Sequence, residues 1–472
     1  MKRQFFYAFS ILFLLNAPPA FATHNSGGEI EFQQIAPTEL DAWIVTYTKA
    51  LNLAADRDTL TLRWGDGNCE QIARVNGPDT NGNGVPDGEL IAPGVKKNIY
   101  RKTHVYANLG TYILSMTDPN RNGGICNLNP PNSEQVRFHV ESRVKLIEDY
   151  NNNHSPVLLE PPLGIGLVDL PYFHMPNAFD IDGDSLVYSL STPLQDIGEE
   201  VPNFILPDAI PVPNPLENSL TLDTETSLIR WDSPQQACMY VIAIKIESYR
   251  EGILQDVVIR DMMISVDEAE RLNPTIICSE ESTEVIEVNI GDTITVDVEA
   301  TGWDTNLGLS LTASCGLFED YYEHQAEFDA TTSGAEGSGT FTWVVKEEHA
   351  RQQPYQLVFK ARDNFGNIEE GVAIYKYLRY RVTGDVVDVD EPTQTSMIEV
   401  FPNPTKDEVR VITPPASGIM EYEIVNAGGK VVKTGVLNTS QAISLHGMPD
   451  GLYVLRLRKG STWEAFKLIK QQ

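Results

Sequence analysis

The sequence predicts an all-β chain, a string of small antiparallel sandwiches that ends in a smaller one. Three observations predict it. Strand patterns recur along most of the 472 residues, with apolar and polar side chains alternating, as at Ile290-Gly291-Asp292-Thr293-Ile294-Thr295-Val296-Asp297-Val298. Turn residues (Gly, Asn, Asp, Pro) separate these runs at short intervals. Only residues 266–272 and 346–353 read as helical, and both stretches are short. Short strands with one apolar face bury it most simply by stacking two sheets.

Composition sets the class. Hydrophobic residues are 42% and charged ones 21%, which suits a globular chain and not a disordered one. The length suggests roughly three to four domains. The formal net charge is -31. Residues 1–22 carry Lys2 and Arg3, and residues 397–472 carry nine basic and seven acidic side chains, so the body between carries about -35. Such a surface repels nucleic acid and anionic lipid and attracts cations.

The N-terminus reads as an export signal. Lys2 and Arg3 precede an apolar run over residues 5–15, too short for a bilayer span, and Ala20-Phe21-Ala22 is a small-x-small cleavage site. Residues 1–22 are therefore expected to be a signal peptide, and no membrane anchor is expected. Export crosses an oxidising compartment, so the five cysteines invite pairing. Cys69 with Cys126 and Cys278 with Cys315 would each stay within one predicted domain, leaving Cys238 over, although five cysteines permit many connectivities. No C-x-x-C spacing occurs, which disfavours a zinc or thioredoxin-like site.

The first predicted unit covers residues 23–150. It holds Leu60-Thr61-Leu62-Arg63-Trp64-Gly65-Asp66-Gly67, then His104-Val105-Tyr106, then Gly110-Thr111-Tyr112. That order resembles the polycystic-kidney-disease (PKD) type of immunoglobulin-like domain. The resemblance implies structural roles: the turn fixes a strand end and the aromatics pack beneath it. His104 is accordingly expected to be packed or hydrogen-bonded. Thr23-His24, followed by Gly27-Gly28-Glu29-Ile30, resembles the mature start of secreted, gliding-motility-associated proteins of Bacteroidetes.

The second unit covers residues 151–268. Its centre is Asn177-Ala178-Phe179-Asp180-Ile181-Asp182-Gly183-Asp184-Ser185-Leu186-Val187-Tyr188, and residues 229–231 and 240–246 follow as strands. An Asp-rich turn before Ser-Leu-x-Tyr resembles the cadherin-like repeats of bacterial surface proteins. Five prolines make residues 202–215 a rigid loop. The third unit covers residues 269–383. Gly339-Thr340-Phe341-Thr342-Trp343 and the run from Tyr355 echo Ile229-Arg230-Trp231 and the run from Tyr240, a diverged repeat with a period near 115 residues. Residues 384–396 are acidic and read as a linker.

The tail, residues 397–472, is the most specific stretch. Ile398-Glu399-Val400-Phe401-Pro402-Asn403-Pro404 opens it. A Gly428-Gly429 turn, Gly447-Met448-Pro449-Asp450-Gly451-Leu452-Tyr453-Val454-Leu455 and Phe466-Lys467-Leu468-Ile469-Lys470 follow in order. This resembles the C-terminal sorting domain, type A, that addresses Bacteroidetes proteins to the type IX secretion system. The resemblance implies that machinery as a partner, a secreted or outer-surface location, and removal of the tail on export.

Two acidic loops are candidate metal sites. Asp79-Thr80-Asn81-Gly82-Asn83-Gly84-Val85-Pro86-Asp87 places oxygen ligands at positions 1, 3, 5 and 9 with Gly at 6, the front of a calcium loop. Position 12 is Leu90 instead of the bidentate Glu, so the loop is closer to dockerin-like and thrombospondin-like repeats than to an EF-hand. A flexible Asn/Gly turn is the plain alternative. Asp180, Asp182 and Asp184 stand at i, i+2 and i+4 on a turn and repel unless something neutralises them. The expected ion is calcium, against a plain exposed turn.

Catalytic motifs are missing: there is no His-Glu-x-x-His, Gly-x-Ser-x-Gly or phosphate-binding glycine loop. The stretch from Tyr375 to Arg381 suits a packed strand better than a polyanion site. The sequence therefore points to a non-enzymatic adhesion or interaction protein of the cell surface. Its expected ligands are surface polysaccharide or protein. The alternative is an exported glycosidase or peptidase with β accessory modules.

Overall fold

The computed structural model describes residues 25–50, 57–92, 94–148, 153–162, 165–211, 218–268, 271–364, 371–383, 399–401, 405–412, 419–426, 430–438, 441–459 and 462–471. The expected signal peptide and acidic linker lie outside them. So do Pro402-Asn403-Pro404 and the Gly428-Gly429 turn. The chain forms two compact units, residues 1–384 and 385–472. Both are all-β, the first built as tandem sandwiches and the second as one small sandwich.

In the first unit, β1 (Gly27–Ala36), β2 (Glu39–Lys49), β3 (Thr59–Arg63), β4 (Cys69–Ala73), β5 (Glu89–Ala92), β6 (Val95–Val105), β7 (Thr111–Asp118) and β8 (Phe138–Lys145) build the N-terminal module. They enclose Phe32, Ile44, Leu62, Trp64, Tyr100, Leu114 and Phe138. The predicted PKD-type signature is seated as its residue types require. Gly65 has φ +81°, and a Cβ there would meet the Ile113 backbone at 2.7 Å, so only glycine fits the turn. His104 stacks on Trp64 with ring centroids 4.6 Å apart, and its Nε2 lies 2.9 Å from Asp66 Oδ2. His104 is thus packed and hydrogen-bonded, as expected.

The second segment begins with β9 (Val157–Leu158), β10 (Ile165–Leu167), β11 (Tyr172–His174), β12 (Ala178–Phe179) and β13 (Ser185–Ser191). It continues through β14 (Leu194–Asp196), β15 (Glu199–Glu200), β16 (Leu220–Leu222), β17 (Ile229–Trp231), β18 (Cys238–Arg250) and β19 (Ile253–Asp267). The long hairpin β18–β19 sets the architecture. β19 pairs antiparallel with β18 along its length and also with β1 and β8 of the N-terminal module. One fourteen-stranded sheet therefore runs through the position near residue 150 where the sequence suggested a boundary. Residue 266, expected to start a helix, instead lies in β19, which runs to Asp267. Residues 269–270 of that stretch lie outside the described residues. Of residues 346–353, only Glu347–His349 turn, as one 3-10 turn.

The third segment is a sandwich of two four-stranded sheets. Its strands are β20 (Thr275–Cys278), β21 (Val285–Asn289), β22 (Thr293–Thr301), β23 (Gly308–Ser314), β24 (Glu327–Ser333), β25 (Glu336–Val344), β26 (Tyr355–Asn364) and β27 (Ala373–Thr383). The sheet orders are β20-β22-β25-β24 and β21-β27-β26-β23. The repeat read in the sequence appears as a shared pair. Trp231 meets Tyr240 edge-on at 4.9 Å in the second core, and Trp343 meets Tyr355 edge-on at 5.7 Å in the third.

The disulfide differs from expectation. Cys126 bonds Cys238, while Cys69 is free and exposed and Cys278 and Cys315 are free and buried. The reason is local: residues 125–126 run along β18, and the Cys126 amide donates to the Met239 carbonyl at 2.9 Å. The loop between β7 and β8 thus joins the second segment, which a boundary near residue 150 conceals.

Polar and apolar contacts tie the segments of this unit together, and three bear on the site described below. Arg260 on β19 donates to both carboxylate oxygens of Glu29 on β1, at 3.0 and 2.7 Å, with both side chains buried. Lys360 on β26 reaches Glu160 at 3.1 Å. Phe179 leaves the end of β12 and enters the third core, and Gly316 makes room for it, since a Cβ there would lie 2.2 Å from the ring.

The C-terminal unit has β28 (Glu399–Phe401), β29 (Glu408–Ile412), β30 (Ile419–Asn426), β31 (Val431–Asn438), β32 (Gln441–Ser444), β33 (Gly451–Lys459) and β34 (Thr462–Lys470). Its sheets, β28-β29-β32 and β31-β30-β33-β34, enclose Val409, Ile424, Leu455, Leu457 and Leu468.

Candidate cation sites

The loop before β5 closes on itself. Asp79 Oδ1 accepts the amides of Gly82 at 2.8 Å and Asn83 at 3.2 Å, and its Oδ2 accepts that of Gly84 at 2.9 Å. Gly82 and Gly84 supply the positive φ this wrap demands, +73° and +87°. Asn81 Oδ1 accepts the Asn83 amide, and Asn83 Oδ1 accepts the Val85 amide. Asp87 accepts from the Thr80 amide and hydroxyl and from Asn81 Nδ2, and the Thr80 bonds lead in holding its carboxyl below the usual value. The buried Arg74 guanidinium lies 3.9 Å from Asp87 Oδ1 and brings a positive charge beneath the loop. The four predicted ligands, Asp79, Asn81, Asn83 and Asp87, therefore share one exposed loop whose oxygens already accept hydrogen bonds.

The second turn is different. β12 delivers Asp180 into the interior, Gly183 takes φ +83°, and Asp184 leads into β13. Oxygens of Asp180, Asp182 and Asp184 all lie within 4.8 Å of one another. Arg250 at the end of β18 grips Asp184 through Nε at 2.7 Å and Nη2 at 2.9 Å, and touches Asp182 at 3.3 Å. Asp182 also accepts the His154 amide at 2.8 Å and sits 2.8 Å from His154 Nδ1. Two of the three acids are thus compensated.

Asp180 is not. Its Oδ1 accepts the Asp184 amide at 3.2 Å, but its buried Oδ2 has no partner. Burial, then the charges of Asp182 and Asp184, push this carboxyl up to about 7. Asp256, on β19, was not singled out in the sequence. It is buried as well, its Oδ2 has no partner, and burial followed by the charge of Asp180 raises it strongly. An all-oxygen group of this kind suits a hard divalent cation, with Asp180 as its most available ligand.

The turn lies where the second and third segments meet. On one side is a cavity of about 340 Å³ whose lining includes Asp180, Asp184, Tyr188, Arg351, Gln356 and Arg379. On the other an open cleft of about 710 Å³ includes Asp182, Arg250, Tyr249, Tyr322, Glu348 and Arg351. The basic-aromatic stretch on β27 is a packed strand: Tyr375, Leu378 and Tyr380 are buried. Lys376, Arg379 and Arg381 pair with Glu281, Glu225 and Glu287.

Residues 399–471 match the family described as a secretion system C-terminal sorting domain, so the chain ends in a type IX sorting domain. No curated protein sequence matches the chain. Among solved structures, the zebrafish RET cadherin-like domains 1 to 4 are similar at 12% identity, covering 80% of this chain and 88% of that one, with a TM-score of 0.16. The Salmonella enterica SafA pilin in complex with the SafB chaperone is similar at 12%, covering 43% and 98%, with a TM-score of 0.18. A titin fragment, A168169, is similar at 11%, covering 48% and 100%, with a TM-score of 0.16. At such scores the all-β architecture rests on the chain's own sheets. A sorting domain of this kind implies interaction with the type IX machinery and secretion or cell-surface attachment. Among the described residues no helix is long and apolar enough to cross a membrane.

Proposed function

We propose that the chain is a non-catalytic adhesion or interaction protein that works outside the cell. Its N-terminal signal starts export and its sorting domain completes it. Its β-modules form one stiff body, rigidified by calcium at the Asp180–Asp184 turn, that presents loops to a surface polysaccharide or protein. The observation that carries this reading is the joint between the second and third segments. There Phe179 plugs the neighbouring core, and a buried carboxylate oxygen of Asp180 stands without a donor beside it. An unpaired buried carboxylate costs several kcal/mol unless it is neutralised, and a divalent cation both neutralises it and stiffens the joint.

The test is binding of the purified full chain to polysaccharide and surface-protein arrays in calcium, with soluble products assayed in the same wells. Calcium-dependent retention without product is expected. Release of reducing ends or peptide fragments would overturn the non-catalytic reading in favour of a hydrolase.

A further inference from the structure

We propose that Asp256 is part of the cation site, and that the ion is held chiefly between Asp256 and Asp180 with Ser248 as a neutral oxygen donor. This rests on the calcium reading above and changes which residues hold the ion. The sheet register places Ser248 and Asp256 side by side. Leu186 on β13 pairs with Ser248 on β18, and Ser248 pairs with Asp256 on β19, so these side chains share one face of three adjacent strands. One step nearer the sheet end, Ser185 pairs with Tyr249, next to Asp184 and Arg250. The acidic turn leads directly into this end of β13, and the Asp180 charge acts on Asp256.

The hydrogen bonds divide the acids into two kinds. Asp182 and Asp184 are held by Arg250 and His154. Asp180 and Asp256 each give one oxygen to a backbone amide, of Asp184 and of Lys145, and keep the other unpartnered. Ser248 Oγ is unpartnered too, and all three residues are at most 1% exposed. Three buried oxygens without donors at one sheet end suit a cation, because each loses water on folding and gains nothing in return. The donors include no nitrogen or thiolate, which disfavours zinc and copper. The dry setting disfavours magnesium, which keeps its waters, and favours calcium. Arg250 and His154 then act as positioning residues that hold the turn over the site.

The test uses the chelator-stripped full chain at neutral pH, with calcium alone as the probe, followed by calorimetric titration and by thermal unfolding. Asp256→Asn is expected to lower calcium affinity at least tenfold and to abolish most of the calcium-induced rise in melting temperature. Ser248→Ala is expected to weaken affinity severalfold. In chelator, Asp256→Asn should melt at or above the unsubstituted chain, because it removes a buried carboxyl whose Oδ2 has no donor. Unchanged affinity in Asp256→Asn would remove Asp256 from the site and leave the calcium reading intact. No calcium heat and no melting shift in the unsubstituted chain would overturn both. A lower melting temperature of Asp256→Asn in chelator would show that its carboxylate already has a compensating partner, and would overturn the site.

Discussion

Lys360 Nζ on β26 lies 3.1 Å from Glu160 Oε2, two residues beyond β9, and both side chains are buried. The Glu160 carbonyl in turn accepts Arg260 Nη1 at 2.6 Å, and Arg260 grips Glu29. Glu29, Arg260, Glu160 and Lys360 thus form a chain of buried polar contacts through all three segments of the first unit. Buried charges of this kind add little net stability, yet each is costly to leave alone. They fix how the segments meet.

Lys360→Ala is therefore expected to destabilise the first unit by about 3–5 kcal/mol, since Glu160 would be left buried without its partner. Lys360→Ala combined with Glu160→Gln should recover much of that loss. Denaturant unfolding of the single and double variants measures both.

Phe179→Ala is expected to cost about 3–5 kcal/mol by opening a cavity in the third core. Because Phe179 arrives from β12, the change should also loosen the joint, and protease should cut near residues 177–184 sooner than in the unsubstituted chain. Denaturant melts and limited proteolysis test the two effects separately.

The acidic turn should make stability depend on pH. Asp180 has its carboxyl pushed up to about 7 in the folded chain, against about 4 when unfolded. The folded state then binds the extra proton, so this stabilising contribution is complete below about pH 4 and is lost as pH rises through about 7. In chelator, melting temperature should fall across that window, and Asp180→Asn should flatten the fall. Calcium should restore most at the alkaline end, where the carboxylate is bare.

The Cys126–Cys238 bond closes a loop with a sequence separation of 112. Loop-closure arithmetic gives about 4–5 kcal/mol for such a loop, so Cys238→Ser should lower denaturant resistance by that order. Thiol titration checks the pairing. Only Cys69 should react in the native chain, with Cys278 and Cys315 joining on unfolding.

Local features were legible in the sequence, and long-range partners were not. The Gly65-Asp66-Gly67 turn, His104 and Tyr106 carry their own geometry in residue types, and the Trp–Tyr pairs of the second and third cores show as an echo at a near-constant spacing. β19 has no clean alternation and goes unmarked in the sequence, and nothing local says that it pairs with β1 and β8 as well as β18. The Cys126–Cys238 pair was hidden for the same reason. Asp180, Asp182 and Asp184 were visible as a cluster. Asp256 lies 72 residues beyond Asp184, on a strand that also carries Asp261 and Asp267, so nothing in the sequence ties it to the acidic turn. Its one local signal is a charge in phase with the buried positions Val258, Met262 and Ile264.

A calcium ion that stiffens the body must show in thermal unfolding of the full chain, run in chelator and in millimolar calcium. The main transition should shift upward in calcium. Asp180→Asn should lose that shift, while Asp79→Ala with Asp87→Ala should retain most of it. Superimposable melts with and without calcium would rule out a stiffening ion and leave both acidic loops as turns.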